Sequence, residues 1–314
     1  MALRVAFFGT PGFAVPTLEH LVQSPHQVVG VVTQPDRPRG RGQQVSEAPV
    51  KALASSLGLT VLQPERLARD VFETAFTALG ADIGVVAAYG KILPDWLLAS
   101  PRLGLINVHA SLLPKYRGAS PVHRAVIAGD AETGVTIMRV VKALDAGPML
   151  SRVRIPITDN DTTTVIEAAL AARGAELLST TLTEIEQGRA IETVQDEALV
   201  TYAPKLTKAE GLVDWQRSAR EVHNLVRGLW PWPHAYGFMA GSRVILHRSR
   251  LSTLATGSPA GTILAASAAD GLHVACGDGT IEILGLQFEG KRIMTARDAM
   301  ASPLLAVGAQ FSTP

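Results

Sequence analysis

Asn107 and His109 stand two residues apart near the end of an apolar run, "RLGLINVHA" (102–110). In an extended strand, residues two apart face the same side, so the carboxamide and the imidazole would point together. A carboxamide can donate N–H bonds to a developing oxyanion, and a neighbouring imidazole can supply or remove a proton. The pair therefore suits transfer of a carbonyl carbon to a nucleophile. No serine or cysteine stands in a nucleophile-elbow pattern, so a covalent acyl-enzyme has little support. From these residues alone a second reading stays open, a hydrogen-bonding pair that only ties off the strand.

The elements around the pair decide where it would sit. "LRVAFFG" (3–9) and "QVVGVVT" (27–33) are near-continuous apolar runs with a helical spacing between them, a βαβ opening. Helical and strand-like stretches then alternate: helices over 48–59, 118–130 and 162–188, strands over 81–90, 102–110 and 134–141. This pattern predicts a doubly wound, mostly parallel α/β domain over residues 1–189, with ligands beyond the carboxyl ends of its strands. Residues 190–207 have mixed polarity and read as a linker. From 208 to 314 a short helix (218–229) precedes short alternating runs, among them "RVILHRSRL", "GLHVACG" and "TIEILGLQFEG". Turns at regular intervals predict a small antiparallel OB-like β-barrel.

Composition excludes several classes. The 314 residues are 18% charged with net charge +1, ordinary for a globular protein. No apolar run approaches the ~18 residues that cross a bilayer. The single cysteine, Cys276, excludes an intramolecular disulfide, and the cytoplasm is the expected compartment. Residues 1–204 hold 18 Lys/Arg against 20 Asp/Glu, while residues 205–314 hold 11 against 8, so the C-terminal part is mildly basic.

Other motifs are weaker. "FFGTPGFA" (7–14) offers a Gly-rich turn but neither GxGxxG nor a P-loop lysine. Arg37, Arg39 and Arg41 lie within five residues, opposed only by Asp36, and the planar guanidinium suits phosphate. That loop has almost nothing apolar to bury, which predicts mobility in the free protein. His223 and His234 read as surface or packing residues, Cys276 as a buried small residue, and Trp230 and Trp232 as packing at the domain junction.

"NVHASLLPKYRGASP" (107–121) resembles the signature of folate-dependent formyltransferases, in which Asn and His precede Ser-Leu-Leu-Pro and a basic-aromatic Arg-Gly turn. That family also uses an aspartate in a later Leu-Asp-x-Gly loop, and "KALDAGPML" (142–150) supplies Asp145 and Gly147. Within the family the resemblance is strongest to members that formylate methionyl-tRNA. It extends to "TQPDRPRGRGQQ" (33–44), "YAPKLTKAEGLVDW" (202–215) and "WPWPHAYG" (230–237). Gly12, Tyr116 and Ala143 depart from the common pattern.

The resemblance implies transfer of a formyl group from 10-formyltetrahydrofolate to the α-amine of methionyl-initiator tRNA, in translation initiation. It places Asn107, His109 and Asp145 in catalysis. Ser111, Leu112, Leu113 and Pro114, with Val86, Tyr89, Gly90 and Ile92, fall at the folate. Arg37, Arg39, Arg41 and Lys205 fall on the tRNA, Arg41 first among them. The C-terminal barrel is expected to bind tRNA. No metal and no membrane are expected, and a monomer is. The alternatives are a formyltransferase acting on an amino-sugar nucleotide or another small amine, and a non-catalytic RNA-binding protein on a retained scaffold. The presence of Asn107, His109 and Asp145 speaks against the last.

Overall fold

The computed structural model describes residues 2–39, 44–255 and 257–312. The chain opens with β1 (Arg4–Gly9), α1 (Val15–Gln23) and β2 (Gln27–Val32), then a hairpin of β3 (Arg37–Arg39) and β4 (Gln44–Ser46). α2 (Pro49–Ser56), β5 (Val61–Leu62), α3 (Arg69–Thr77), β6 (Ile83–Ala87), α4 (Asp95–Leu98) and β7 (Leu105–His109) follow. Next come the short β8 (Arg117–Gly118), α5 (Pro121–Ala128), β9 (Glu132–Arg139), β10 (Met149–Pro156), α6 (Thr163–Glu186) and β11 (Tyr202–Ala203).

Seven strands form one sheet in the order β10-β9-β7-β6-β1-β2-β5. The five from β7 to β5 are parallel, and β9 runs antiparallel to β7. The order reverses at β1, as the doubly wound expectation requires, and such a reversal opens a crevice at the strands' carboxyl ends. β1 and β6 read as apolar runs because both of their faces are covered: all of β6 is buried, and all of β1 but Arg4. Phe8 packs there against Phe76 and Tyr89, with ring centroids 5.7 and 5.6 Å away.

Two compact units emerge. One comprises Met1–Pro121, Glu132–Ile155 and Glu167–Ala203; the other comprises Val122–Ala131, Pro156–Ile166 and Pro204–Pro314. Residues 190–203, read from sequence as a linker, belong to the first unit. Thr193 bridges Met149, and β11 pairs with β8 in parallel, Tyr202 opposite Arg117 and Ala203 opposite Gly118. The physical reason is that this stretch is held by polar pairings rather than by an apolar stripe, so no periodicity marks it.

In the second unit α7 (Ala219–Gly228) precedes β12 (Ala235–Met239), β13 (Ser242–Ser252), β14 (Ile263–Ser267), β15 (Gly271–Ala275), β16 (Thr280–Phe288), β17 (Met294–Thr295) and α8 (Ala296–Ala299). Ser218 caps α7 in a reciprocal capping box with Glu221. The sheet runs β12-β13-β16-β15-β14, with β17 on β16, and neighbouring strands pair antiparallel. Residues 308–312 cover both of its edges. Gly308 donates to Ile263 O and Ala309 O accepts from Ile263 on the β14 side, while Ser312 donates to Phe238 O on β12. Phe311 stacks on Trp215 beneath this seal, with centroids 4.7 Å apart. Capped edges of this kind leave no row of unpaired backbone groups. Cys276 is buried here, and burial pushes its thiol up to about 12. Trp230 packs beside His234 and His247, but Trp232 is 45% exposed, contrary to its expected packing.

Candidate active site

Asn107 and His109 occupy β7 with their neighbours already paired: Asn107 lies opposite Val86 on β6 and Met138 on β9. His109, the last residue of the strand, is 5% exposed. Its Nε2 lies 3.0 Å from the Tyr116 carbonyl. A carbonyl can only accept, so the proton sits on Nε2, and Nδ1 carries the free lone pair of the neutral ring. That Nδ1 faces Asp145 Oδ2 at 3.7 Å, beyond direct hydrogen bonding but close enough for one polar atom to bond both. The Asn107 carboxamide is half-buried and makes no hydrogen bond to a described residue.

Asp145 arrives from the loop between β9 and β10 with a left-handed backbone, φ +46°. Its Oδ2 accepts from Gly118 N at 2.8 Å. Gly118 itself has φ +124°, and a Cβ there would meet Ala203 O at 2.8 Å. Two residues after the aspartate, a Cβ on Gly147 would lie 1.9 Å from Arg139 O, so only glycine fits. Behind the loop, Gln195 Nε2 donates to Asp145 O and Gly147 O at 2.7 and 2.8 Å. Sequence reading missed Gln195 and the buried Arg117 that holds it. They lie 78 positions apart, and Gln195 falls in the stretch read as a linker.

The residues expected at the folate fall into two groups. Ser111, Leu113 and Pro114 are buried and build the turn after β7, where Leu113–Pro114 is a cis peptide. Ser111 Oγ donates to Lys115 O at 2.6 Å, and Thr136 Oγ1 joins Ser111 O to Leu113 N. Leu112 is half-buried. Ser111 braces the turn rather than facing outward, because its hydroxyl is satisfied within it. Val86 and Tyr89 also point into the core, and burial pushes the Tyr89 phenol up to about 12. What the turn after β6 does offer is backbone: Ala88 (φ +46°) and Gly90 (φ +78°) flank Tyr89, whose carbonyl accepts from Gln34 Nε2 at 2.7 Å. Beyond them Ile92 is 89% exposed. Across from it Lys142 pairs with Asp95 at 2.8 Å, tying the Asp145 loop to α4, and Leu144 on that loop is exposed as well.

Of the basic residues, Arg37 is exposed on β3 and Lys205 is exposed in the second unit, while Arg39 lies on β3. Arg41, and with it the expected mobility of the hairpin tip, lies outside the described residues. Asp36, the one acid in this loop, is drawn away from the arginines. Lys51 pairs with it and Gln63 Nε2 donates to it at 3.2 Å, and the Lys51 hydrogen bond holds its carboxyl below the usual carboxylate range. Among the described residues no three His, Cys, Asp or Glu group as a metal site, and no helix is long and apolar enough to cross a membrane.

Comparison with known proteins places these observations. Residues 3–182 match the formyl transferase family model, and residues 205–304 match the model of the formyl transferase C-terminal domain. Among solved structures the chain resembles HypX from Aquifex aeolicus in complex with tetrahydrofolic acid (16% identity, TM-score 0.64), covering 98% of this chain and 48% of that one. The chain thus spans about half the length of the HypX proteins it matches. It also resembles an N-formyltransferase from Helicobacter canadensis in complex with folinic acid and dTDP-3-aminofucose (17% identity, TM-score 0.70, 90% of this chain, 98% of that one). Glycinamide ribonucleotide transformylase 1 from Symbiobacterium toebii matches at 19% identity and TM-score 0.52, over 62% of this chain and 95% of its own. At these identities the likeness is one of fold, and with both family models matched the chain belongs to the formyl transferase family.

Proposed function

We propose that this chain is a cytoplasmic methionyl-tRNA formyltransferase, moving the formyl group of 10-formyltetrahydrofolate to the α-amine of methionyl-initiator tRNA. The convergence of His109 Nδ1 and Asp145 Oδ2, beside the strand whose Asn107 amide bonds to no described residue, carries the formyl-transfer reading. The substrate supplies its own nucleophile: a free α-amine titrates near 7.7, and esterification lowers that further, so much of it is neutral at physiological pH. The amine nitrogen bonds to the formyl carbon, and the carbonyl oxygen becomes an oxyanion that Asn107 N–H groups stabilise. His109 takes the amine's proton at Nδ1, where the Asp145 carboxylate steadies the imidazolium. The proton then passes to the folate nitrogen as its bond to the formyl carbon breaks. Folate would lie along the 88–92 backbone, with Ile92 and Leu144 against its rings.

The arginine hairpin carries the tRNA reading. Lys51 neutralises Asp36, so Arg37 at the hairpin's root has no carboxylate partner among the described residues, and Arg39 and Arg41 add two more guanidinium groups suited to a phosphate backbone. Lys205 and the mildly basic second unit extend the same preference. A second reading, an amino-sugar nucleotide as acceptor, is favoured by the solved structures. The Helicobacter canadensis protein bound to dTDP-3-aminofucose matches nearly its whole length. The two readings separate in one assay. Formyl transfer is measured to initiator Met-tRNA, elongator Met-tRNA and a dTDP-amino sugar, with His109→Ala as control. Preference for the initiator supports the proposal; activity on the sugar alone replaces it with the second reading.

A further inference from the structure

We infer that Gln195 and Arg117 are positioning residues that set the Asp145 carboxylate against His109; this rests on the formyl-transfer reading above.

Asp145 is held at two ends by consecutive residues. Its carboxylate accepts from Gly118 N, and its own carbonyl accepts from Gln195, whose Oε1 accepts from Arg117 Nε at 3.0 Å. Arg117 and Gly118 are neighbours in the chain, so these bonds close a ring around the aspartate. The chemistry of each atom fixes the ring's sense. Arginine is a donor only, so the Gln195 atom facing it must be the amide oxygen. The amide nitrogen must then face the loop, where its two hydrogens meet the Asp145 and Gly147 carbonyls.

Burial makes this arrangement costly to rearrange. Gln195 is 4% exposed and Arg117 3%, so neither can turn to water without losing its partners. Glu197 completes the set, taking two bonds from Arg117, at 2.7 and 3.3 Å. The segment from Gln195 onward also ties the turn before Gly118: Thr201 Oγ1 accepts from Tyr116 N at 2.9 Å, and Thr201 O from Arg117 N. Tyr116 is the residue whose carbonyl orients His109. One stretch, residues 195–203, therefore braces both reacting side chains from behind. A φ of +46° at a non-glycine residue persists only where surrounding contacts impose it, and the Gln195 fork is such a contact.

The test is a double-mutant cycle of Gln195→Met and Asp145→Asn in the full chain, read by single-turnover formyl transfer. Methionine keeps the volume and removes both donors. Alone it should lower the chemical rate by about 10- to 100-fold, the scale of a displaced reacting group, with KM for the folate donor within about 3-fold. In the Asp145→Asn background the same change should cost less than about 3-fold, because its partner in function is gone. Independent, multiplicative losses would overturn the inference. Amide hydrogen exchange over residues 143–148 supplies a readout that needs no substrate. Gln195→Met should speed it about 10-fold or more while α6 stays protected, and unchanged exchange also overturns the inference. Gln195→Glu, which retains the Arg117 contact but faces the loop carbonyls with an acceptor, serves if the methionine variant does not fold. Should the wild type transfer formyl to no acceptor, the functional reading fails, and the exchange result still decides the clamp.

Discussion

Asp145→Asn replaces a carboxylate by an amide of the same shape, so its effect can be worked from two distances. Nδ1 of His109 and Oδ2 of Asp145 are 3.7 Å apart, with side chains 6% and 16% exposed. At an effective dielectric of about 20, unit charges at that separation attract by about 4.5 kcal/mol. Relaxation and remaining solvent reduce this, and a loss of about 3–4 kcal/mol from the transition state corresponds to a rate decrease of about 150- to 1,000-fold. Stability should change far less. In the variant the Gly118 N–H, 2.8 Å from the carboxylate in the wild type, still finds an amide oxygen. Exchanging a charged acceptor for a neutral one costs about 1 kcal/mol, a few degrees in Tm. Rapid-quench formyl transfer under single-turnover conditions gives the rate, and thermal unfolding of the same preparation gives Tm. A loss below about 10-fold in a folded variant would refute the assignment of the imidazolium partner.

Three further outcomes are expected. Asn107→Ala should lower turnover about 100- to 1,000-fold while KM for the acceptor changes less than about 3-fold; equal loss in both would remove its oxyanion role. Arg37→Ala should weaken tRNA binding and make the log–log salt dependence shallower by about 0.7–0.9, as one phosphate contact is lost, and an unchanged slope in filter binding contradicts the hairpin's role. His223, His234 and His247 have imidazoles held below the ordinary range, chiefly by burial. The folded state therefore favours their neutral form, and the unfolded chain binds protons first. Their contribution is complete above about pH 6.5 and is lost as pH falls toward the folded values, with a limiting slope of about 1.4 kcal/mol per pH unit for each. Urea midpoints at pH 7.5 and 5.5 measure this, and the drop should shrink in His223→Gln.

Much of the sheet was legible because its central strands are buried on both faces, as "VAFF" in β1 and "IGVVA" in β6 show. β10 was not, since Arg152 and Arg154 alternate with half-buried residues on an edge strand and break the apolar run. In the site, Asn107 and His109 stood out because polar groups at a strand tip have no packing purpose. Ser111 looked equally available in sequence, yet its hydroxyl closes its own turn onto Lys115. Gln195 gave no signal, and Arg117 showed only as part of the Arg-Gly turn, for the opposite reason: their roles come from partners far along the chain. Tyr89 shows the same limit, since an aromatic beside a Gly-containing turn packs inward as readily as it meets a ligand.

The two units are interleaved along the chain, and this has a consequence for inheritance. In the second unit, Arg227 is 6% exposed and donates to the carbonyls of Thr158 and Asp161 at 2.9 and 3.0 Å, while His223 donates to Asp159 O at 2.7 Å. Those acceptors come from residues 158–161, just before α6. A crossover between relatives anywhere from 182 to 205, where the family models part, would join α7 to a foreign acceptor loop. A mismatched loop leaves a buried guanidinium without its oxygens, at a cost of several kcal/mol. Because those oxygens are backbone carbonyls, what such an exchange must preserve is the length and backbone path of residues 156–166, which belong to the same compact unit as α7, rather than the residue types at 158–161.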